Sequence, residues 1–341
     1  MYKLEVQGST GHTKISIGER LAVLDEYIPT ERVVIITDTN VWNLYGHTFL
    51  KYPVVKIGMG EEIKTIETVQ QIYTELLAHE ADRSTFIVGI GGGIVCDITG
   101  YVASTFMRGV RFGFVATTLL AQVDASVGGK NGVNFKGYKN IVGVFNQPEF
   151  VLCDMDLLAT LPEQEIACGF AEIVKHGAIG DVALFEYLEA NFAKALALDK
   201  DAIGKAVYDS VKLKAAVVNQ DEKEQGERKK LNFGHTFGHA IEKTTAVPHG
   251  VAVSLGMVVA SQLSVKKGLL PSTEAERIKV LLQNMGLPVK LEVDRKSVID
   301  ALKKDKKREG PEINFVLLDR IGRAVVEPIA IEELEAVVAE L

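Results

Sequence analysis

The first half of the chain alternates short apolar runs with amphipathic segments, and this alternation limits the fold more than any other feature. Runs typical of buried strands lie at residues 33–37, 85–90, 112–118 and 150–154, and residues 66–77 have the apolar spacing of a helix. Strands that alternate with helices predict a parallel sheet covered by helices. Such a sheet collects ligands at the carboxyl ends of its strands.

The pattern changes near residue 160. Between residues 163 and 267 the chain is rich in alanine, its apolar residues recur every three or four positions, and strand signals are few. Two short apolar runs near the end, at 313–318 and 323–326, predict a hairpin. We therefore predict an α/β domain over residues 1–160 and a mainly α-helical domain over residues 161–341.

The charge and cysteine content of the chain limit the classes of binding partner and the cellular compartment that we expect. The 341 residues carry a net charge of −7 and the pI is about 5.6, which argues against nucleic acid or an anionic membrane as the main partner. No stretch of the sequence is long and apolar enough to predict a membrane span. Cys96, Cys153 and Cys168 are widely spaced and form no C-x-x-C motif, which is typical of reduced core thiols. We therefore expect a cytoplasmic protein.

A glycine-rich turn, Gly91-Gly92-Gly93, follows one of the predicted strands and opens a segment that contains Asp97. Backbone amides in such a turn can face a phosphate at a helix N-terminus. The turn does not match the G-x-G-x-x-G fingerprint, so it indicates either a pyrophosphate site or only a tight turn. Asp38 and Asn40 follow another strand, where they are placed to contact a ribose or to close a turn with their own side chains.

Lysine, asparagine and glycine are concentrated between residues 128 and 147. This segment contains Lys130, Lys139 and Asn140 together with several glycines. We interpret it as an anion-binding loop, and the alternative is a solvated polar loop.

Residues 224–249 hold three of the seven histidines, His235, His239 and His249. On a helix, the four-residue spacing of the first two places both rings on one face, and the glycine before each allows the backbone to approach a neighbour closely. Neutral imidazoles can bind zinc or transfer a proton. An isolated pair of this kind is more often simply buried and hydrogen-bonded.

Glu172 and Lys175 are three residues apart in a predicted helix of mostly apolar residues. A buried charge without a partner is costly, so we expect both side chains to be paired. The alternative is an ordinary ion pair on the helix surface.

Three motifs resemble those of the 3-dehydroquinate synthases, which belong to the sugar-phosphate cyclases: T-T-L-L-A-Q-V-D-A-S-V-G-G-K at 117–130, A-E-I-V-K at 171–175 and R-K-K-L-N-F-G-H-T-F-G-H at 228–239. The resemblance extends from Asp38 to Lys306. It implies a dehydroquinate synthase-like fold, in which an α/β N-terminal nucleotide-binding domain precedes a mainly α-helical C-terminal metal-binding domain. It also implies NAD, a divalent metal (zinc, with cobalt as an alternative) and a homodimer.

The family pattern assigns roles to the residues of this chain that match it. Glu172, His235 and His249 match the metal ligands. The matches to NAD-binding positions are Asp38, Asn40, Glu61, Lys64, Gly92, Gly93, Asp97, Thr117, Thr118 and Thr160. The matches to catalytic positions are Asp124, Lys130, Lys139, Asn140, Lys175, Glu224 and His239. The matches to substrate-binding positions are Lys214, Arg228, Asn232 and Lys306, with Arg108 reaching in from the partner subunit.

The resemblance implies a lyase reaction on a sugar phosphate, 3-deoxy-D-arabino-heptulosonate 7-phosphate, in the shikimate pathway. NAD oxidises the substrate transiently, phosphate is eliminated, the ketone is reduced again, and an intramolecular aldol step closes the ring of 3-dehydroquinate. NAD is therefore regenerated in each turnover, and the substrate phosphate is expected to serve as the base. One departure from the pattern is Cys96, where the family usually has glycine, and we expect NAD binding to survive it.

Three alternatives are left open. Related cyclases that form 2-deoxy-scyllo-inosose or epi-valiolone act on substrates without a carboxylate and tend to lose the counterparts of Arg228 or His239. A polyol dehydrogenase related to glycerol dehydrogenase would not need Lys130, Lys139 or Lys214. A non-enzymatic metal-binding module is disfavoured, because many titratable groups near glycines are a poor way to build a stable fold.

Overall fold

The computed structural model describes residues 1–290, 294–303, 308–309 and 312–340. Two compact units can be distinguished: Met1–Leu161 with Lys214–Lys223, and Pro162–Leu213 with Glu224–Leu341. Among the described residues, no helix combines the length and apolar character that crossing a membrane requires.

The first unit contains nine strands and three complete helices within its described residues. The strands are β1 (Tyr2–Gly8), β2 (Gly11–Ile17), β3 (Val33–Asp38), β4 (Val54–Ile57), β5 (Phe86–Gly91), β6 (Arg111–Ala116), β7 (Lys130–Phe135), β8 (Tyr138–Phe145) and β9 (Phe150–Cys153). The helices are α1 (Thr39–Tyr45), α2 (Ile66–Ala78) and α3 (Gly93–Thr105). Short 3-10 and π turns connect several of them.

Seven of these strands form one sheet in the order β1-β2-β9-β6-β5-β3-β4. All neighbours pair in parallel except β1, which pairs with β2 as an antiparallel hairpin. The central strands are buried on both faces: Val33 and Ile35 point to one side of β3 and Val34 and Ile36 to the other, and all four are buried. Burial on both faces explains why these strands appear in the sequence as unbroken apolar runs. The predicted parallel α/β architecture is confirmed.

The interpretation of residues 128–147 as a loop was wrong, because β7 and β8 pair as an antiparallel hairpin. Gly132 and Gly143 face each other across the ladder, and a Cβ at Gly132 would lie only 2.8 Å from Val142 O. Gly132 and Gly143 therefore serve close strand pairing, whereas Gly128, Gly129 and Gly137 have positive φ angles of 104°, 68° and 80°. The density of glycine in the segment misled the sequence interpretation.

The described part of the second unit is mainly helical, as predicted. Its helices are α4 (Glu163–Gly180), α5 (Val182–Leu196), α6 (Lys200–Gln220), α7 (His235–Thr245), α8 (His249–Lys266), α9 (Ser272–Asn284), α10 (Arg295–Leu302) and α11 (Ile331–Glu340). Residues 214–220 of α6 already belong to the first unit. Strands β10 (Arg308–Glu309), β11 (Glu312–Arg320) and β12 (Arg323–Ala330) form an antiparallel sheet, which confirms the hairpin predicted near the end of the chain.

Helices α7 and α8 touch backbone to backbone at glycines. A Cβ at Gly234 would lie 2.8 Å from Met257 N, and a Cβ at Gly238 would lie 3.1 Å from Ala252 O. On the facing helix, a Cβ at Gly256 would overlap the Gly234 carbonyl. The close approach predicted for Gly234 and Gly238 is thus confirmed, and the neighbour is α8.

Candidate active site

Three side chains of the second unit converge on one point. Glu172 lies in α4, His235 is the first residue of α7, and His249 is the first residue of α8. One ligand atom from each lies within 4.8 Å of the others. Glu172 Oε1 is 3.3 Å from His249 Nε2 and 3.6 Å from His235 Nε2.

This spacing fits a tetrahedral divalent metal. Zinc bonds of about 2.0–2.1 Å to nitrogen or oxygen place neighbouring ligand atoms about 3.3 Å apart. His235 Nδ1 contacts Phe233 O at 3.1 Å, and His249 Nδ1 lies 3.6 Å from Glu242 Oε2. These acceptors favour a proton on Nδ1, which leaves Nε2 of both rings as the atom that could bind a metal.

Lys175 forms an ion pair with Glu172 Oε2, which leaves Oε1 facing the two imidazoles. The pair is not on the helix surface, because the Lys175 side chain is 2% exposed and the Glu172 side chain 0%. The expectation that each charge has a partner is confirmed.

The charges of this cluster favour a cation. Burial opposes ionisation of Glu172, but Lys175 and the two imidazoles outweigh it and hold the pKa of the carboxyl well below its ordinary value. Burial also opposes a charge on His249, but its contacts with Glu172 and Glu242 raise the pKa of the imidazole to about 10. Two carboxylates therefore draw positive charge to the point where Glu172, His235 and His249 meet.

His239 lies beside His235 and His249. Its ring centroid is 5.2 Å from that of His235 and 6.4 Å from that of His249, so the prediction that the first two histidines share a helix face is confirmed. Arg228 is 2% exposed in the short 3-10 helix Glu227–Asn232. Asn232 Nδ2 donates a hydrogen bond to Glu224 Oε1.

In the first unit, residues expected to bind NAD lie at the carboxyl ends of parallel strands. Gly92 is the N-cap of α3 and has no side chain that could cap the helix, and a Cβ there would lie 3.1 Å from Thr118 Cγ2. Thr117 N donates to Gly91 O at 2.9 Å. The first amides of α3 thus open onto a narrow cradle that suits a pyrophosphate.

The same edge carries charged groups. Lys64 forms a largely buried ion pair with Asp97. Burial raises the pKa of Asp97, and the attraction of Lys64 offsets this only in part. Glu61 Oε1 accepts a hydrogen bond of 2.8 Å from Asn134 Nδ2.

Asp38 accepts a hydrogen bond of 2.8 Å from Val41 N, so it caps α1 as the turn interpretation proposed. Burial raises the pKa of its carboxyl. Its neighbour Asn40 is exposed. Thr160 Oγ1 is 2.8 Å from Tyr45 OH.

Cys96 is buried beneath the glycine turn, where its Sγ donates to Gly91 O at 3.9 Å. Burial raises the pKa of this thiol well above its ordinary value. The side chain therefore fills space below the cradle and leaves the helix N-terminus open.

The remaining predicted residues of the first unit are spread over five elements. Lys214 on α6 is largely buried, and its Nζ donates to Asp124 O at 2.6 Å and to the Asp124 carboxylate. Lys130 lies at the start of β7 and Lys139 on β8, and both are exposed. The others are the exposed Asn140 and Arg108, which have positive φ angles of 51° and 69°. Lys306 lies outside the described residues.

Sequence reasoning missed two carboxylates. Glu242 lies one helical turn after His239 and contacts His249, and an acid on the histidine-bearing face of α7 was a usable signal. Glu222 accepts several hydrogen bonds from residues distant in sequence. Nothing local distinguishes it from the nearby Glu224, which the family pattern singled out.

Solved structures with the same fold define the class of protein. 2-Epi-5-epi-valiolone synthase from Streptomyces hygroscopicus subsp. jinggangensis 5008, with NAD+ and Zn2+ bound, matches 98% of this chain and 98% of its own at 27% identity and a TM-score of 0.87. 2-Deoxy-scyllo-inosose synthase, complexed with carbaglucose-6-phosphate, NAD+ and Co2+, matches 99% of this chain and 100% of its own at 26% identity and a TM-score of 0.85. A probable glycerol dehydrogenase from Sinorhizobium meliloti covers 94% of this chain and 93% of its own at 16% identity and a TM-score of 0.66, which shows a shared fold alone. The fold and the carboxylate–imidazole cluster place the chain among the sugar-phosphate cyclases.

Sequence comparison narrows this class. Models of the 3-dehydroquinate synthase N-terminal and C-terminal regions match residues 54–168 and 169–308. 3-Dehydroquinate synthase from Caulobacter vibrioides is 43% identical over 91% of this chain and 88% of its own length. That from Nitrosomonas europaea is 40% identical over 94% of this chain and 92% of its own length. The chain belongs to the 3-dehydroquinate synthase family, and the resemblance inferred from the motifs is confirmed.

The enzyme has the activity of this family. It converts 3-deoxy-D-arabino-heptulosonate 7-phosphate to 3-dehydroquinate and phosphate, a step of the shikimate pathway.

Proposed function

We propose that the enzyme performs this reaction with a divalent metal, zinc or cobalt, at Glu172, His235 and His249, and with NAD at the carboxyl edge of the large sheet. One observation carries the proposal: Glu172 Oε1 lies within 3.6 Å of both imidazole Nε2 atoms, while Lys175 occupies Oε2. When bound, the metal polarises the oxygen at the reacting carbon, and NAD accepts and returns a hydride. Two related cyclases that contain NAD+ with Zn2+ or Co2+ support this assignment.

The nucleotide site combines backbone donors with fixed charges. Gly92 and Gly93 present the N-terminus of α3 to the pyrophosphate. The Lys64–Asp97 pair holds both side chains in place beside it. The other residues assigned to this site are Asp38, Asn40, Glu61, Thr117, Thr118 and Thr160.

The substrate carboxylate requires a fixed cationic fork. The planar guanidinium of the buried Arg228 suits a carboxylate better than an ammonium would. Lys214 supplies the second positive charge, and Asp124 keeps its Nζ in place. We assign Arg228 and Lys214 to this carboxylate.

The substrate phosphate needs several donors, because it is both held and expelled. Lys130, Asn140, Asn232 and His239 are assigned to it, with Lys139 nearby and Glu224 orienting the Asn232 amide. The substrate phosphate itself acts as the base: it takes the proton from the carbon next to the ketone and carries that proton away when it is eliminated. Lys175, whose Nζ forms an ion pair with Glu172 Oε2, is assigned to the proton of the hydroxyl whose carbon is oxidised and then reduced again.

The assignment of Arg108 requires a second copy of the chain. Arg108 of the partner subunit would reach the phosphate, so we propose a homodimer and expect light scattering to give twice the chain mass. All three cysteines are buried and free, which fits our placement of the enzyme in the cytoplasm. A monomer of full activity would contradict the role of Arg108.

The test measures phosphate release from 3-deoxy-D-arabino-heptulosonate 7-phosphate, with NAD and zinc, while NADH absorbance is followed. We expect phosphate without net NADH, no turnover after chelation, and recovery with zinc or cobalt. Replacing Arg228 by Lys removes charge-assisted hydrogen bonds, so kcat/KM should fall about 10- to 100-fold. The control is Lys230→Met, which removes a cation of the same 3-10 helix that pairs with Glu227. Steady NADH formation with a polyol, or no effect of Arg228→Lys, would contradict the proposal.

A further inference from the structure

The end of helix α6 is tied to the β1–β2 hairpin of the first unit. Asn219 Oδ1 accepts a hydrogen bond of 2.8 Å from Gln7 N. Glu222 Oε2 accepts from Ser9 N at 2.6 Å and from Ser9 Oγ at 2.5 Å, and its Oε1 accepts from Thr10 Oγ1 at 3.0 Å. One carboxylate thus holds a turn that lies 213 residues away in sequence.

The same carboxylate is linked to the turn before Lys130. Gln147, which is 5% exposed, donates from Nε2 to Glu222 Oε1 at 2.9 Å. A Cβ at Gly129, whose φ is +68°, would lie 2.8 Å from the same Nε2, and a Cβ at Gly8 would overlap Glu222 Oε1. Two glycines therefore make room for this contact, which reaches the residue adjacent to Lys130.

Hydrogen bonds of this kind need an ionised acceptor to be strong. Burial opposes ionisation of Glu222, but the hydrogen bonds from Ser9, Gln147 and Thr10 outweigh it and hold the pKa of the carboxyl at about 2. The reaction described above assigns no role to this charge.

Lys214 lies on the last two turns of α6, which ends at Gln220, and Glu222 follows two residues after that end. Its side chain is 6% exposed, and its Nζ donates to both the main-chain oxygen and the carboxylate of Asp124. An α-helix advances about 1.5 Å per residue and is stiff over this distance. Asp221 N still donates to Val217 O at 3.0 Å, and Asn219 on the last turn of α6 is itself held by Gln7 N. Fixing the C-terminal end of α6 therefore fixes the point at which Lys214 meets Asp124.

We infer that Glu222 is a positioning residue for Lys214: its hydrogen bonds to Ser9, Thr10 and Gln147 hold the end of α6 so that Lys214 Nζ stays where the substrate carboxylate binds. Glu222 acts without touching the substrate. The inference rests on the proposed function for the role of Lys214 itself.

The first experiment compares Glu222→Gln with Asp201→Asn in the full-length enzyme. Glutamine keeps the shape of Glu222 but loses the charge and one acceptor, so KM for the sugar phosphate should rise about 10-fold while kcat changes little. Asp201 is an exposed acid in the first turn of α6, and its change should leave KM unaltered. If Glu222→Gln does not fold, Ser9→Ala removes one hydrogen bond from an exposed residue and should raise KM in the same direction, by less. An unaltered KM in a folded variant would overturn the inference.

A double-mutant cycle tests whether Glu222 acts through Lys214. In a Lys214→Met background, Glu222→Gln should add no further rise in KM, because the group that it positions is gone. Independent, multiplicative effects of the two changes would refute a positioning role.

Hydrogen exchange separates the failure of this inference from failure of the proposed function. In the ligand-free enzyme, Glu222→Gln should speed amide exchange in residues 214–223 and at Ser9, and Asp201→Asn should not. If exchange is unchanged, Glu222 does not hold the segment and the inference is refuted. If exchange accelerates but Lys214→Met leaves KM unchanged, the assignment of Lys214 to the substrate carboxylate is wrong. The inference that Glu222 positions a substrate-binding residue is then refuted as well.

Discussion

Replacing Lys175 by Met would remove one member of a fully buried ion pair. Both side chains lie within α4, and neither is more than 2% exposed. Methionine fills similar space without a charge, so the variant leaves the Glu172 carboxylate buried without its ammonium partner. The change therefore isolates the electrostatic contribution of the pair.

The loss expected in the metal-free protein is about 3–5 kcal/mol, the usual cost of removing one partner of a buried pair. The control is Lys205→Met, which breaks the Lys205–Asp209 pair on α6, where the lysine side chain is 45% exposed. Solvent screens such a pair, and its loss should cost about 0–1 kcal/mol. A divalent cation at Glu172 supplies the missing positive charge, so zinc should stabilise Lys175→Met more than the wild type.

The assay is urea unfolding followed by far-UV circular dichroism, with and without a chelator. Fluorescence is the wrong probe, because the single tryptophan of the chain, Trp42, lies in the first unit, whereas the ion pair lies in the mainly helical second unit. Equal losses in Lys175→Met and Lys205→Met would refute the reasoning. So would a loss in Lys175→Met that excess zinc does not reduce.

Three further outcomes are expected. Glu242→Gln removes the carboxylate charge beside His249, a proposed metal ligand. Zinc affinity, measured by chelator competition, should therefore fall about 10- to 100-fold. Unchanged affinity would contradict a role for Glu242 in orienting the imidazole. Gly250→Ala places a Cβ 2.8 Å from Cys168 Cβ and should lower both stability and zinc affinity. Gly204→Ala, in open space on α6, should instead stabilise the protein by up to about 1 kcal/mol. Equal effects of the two changes would refute the steric argument. The folded-state pKa of Glu222, about 2, lies below its ordinary value of 4.5. The contribution of Glu222 to stability is therefore complete above pH 4.5 and is lost as pH falls towards 2. Urea unfolding at several pH values should show that the free energy of unfolding falls less steeply with acid in Glu222→Gln than in the wild type.

The sequence predicted those parts of the fold whose local pattern matches their surroundings. Strand β3 is buried on both faces and therefore appears as a continuous apolar run. Strand β1, at the sheet edge, exposes most of its side chains and carries no such run, so the β1–β2 hairpin was not predicted. In β7 and β8 the paired glycines suggested a loop, because their role depends on a partner strand that composition does not show.

The site divides in the same way. His235 and His239 are one turn apart on a single helix, and their spacing alone indicated a shared face. Glu172 and His249 are 77 residues apart, and only the family resemblance joined them before the fold was known. Glu222 and Ser9 are 213 residues apart, and neither the local sequence pattern nor the family resemblance indicated their contact.

The glycine contact between α7 and α8 has a consequence for ion selectivity. His235 and His249 begin these two helices, and the helices rest on each other through main-chain atoms at Gly234, Gly238 and Gly256. Side chains adjust to a neighbour by changing rotamer, but two touching backbones cannot come closer or separate cheaply. The starts of the two helices, from which both imidazoles extend, are thus held at a fixed separation. A larger ion such as calcium, which needs bonds of about 2.3–2.6 Å instead of the roughly 2.0–2.1 Å of zinc, would have to be accommodated by the two side chains alone.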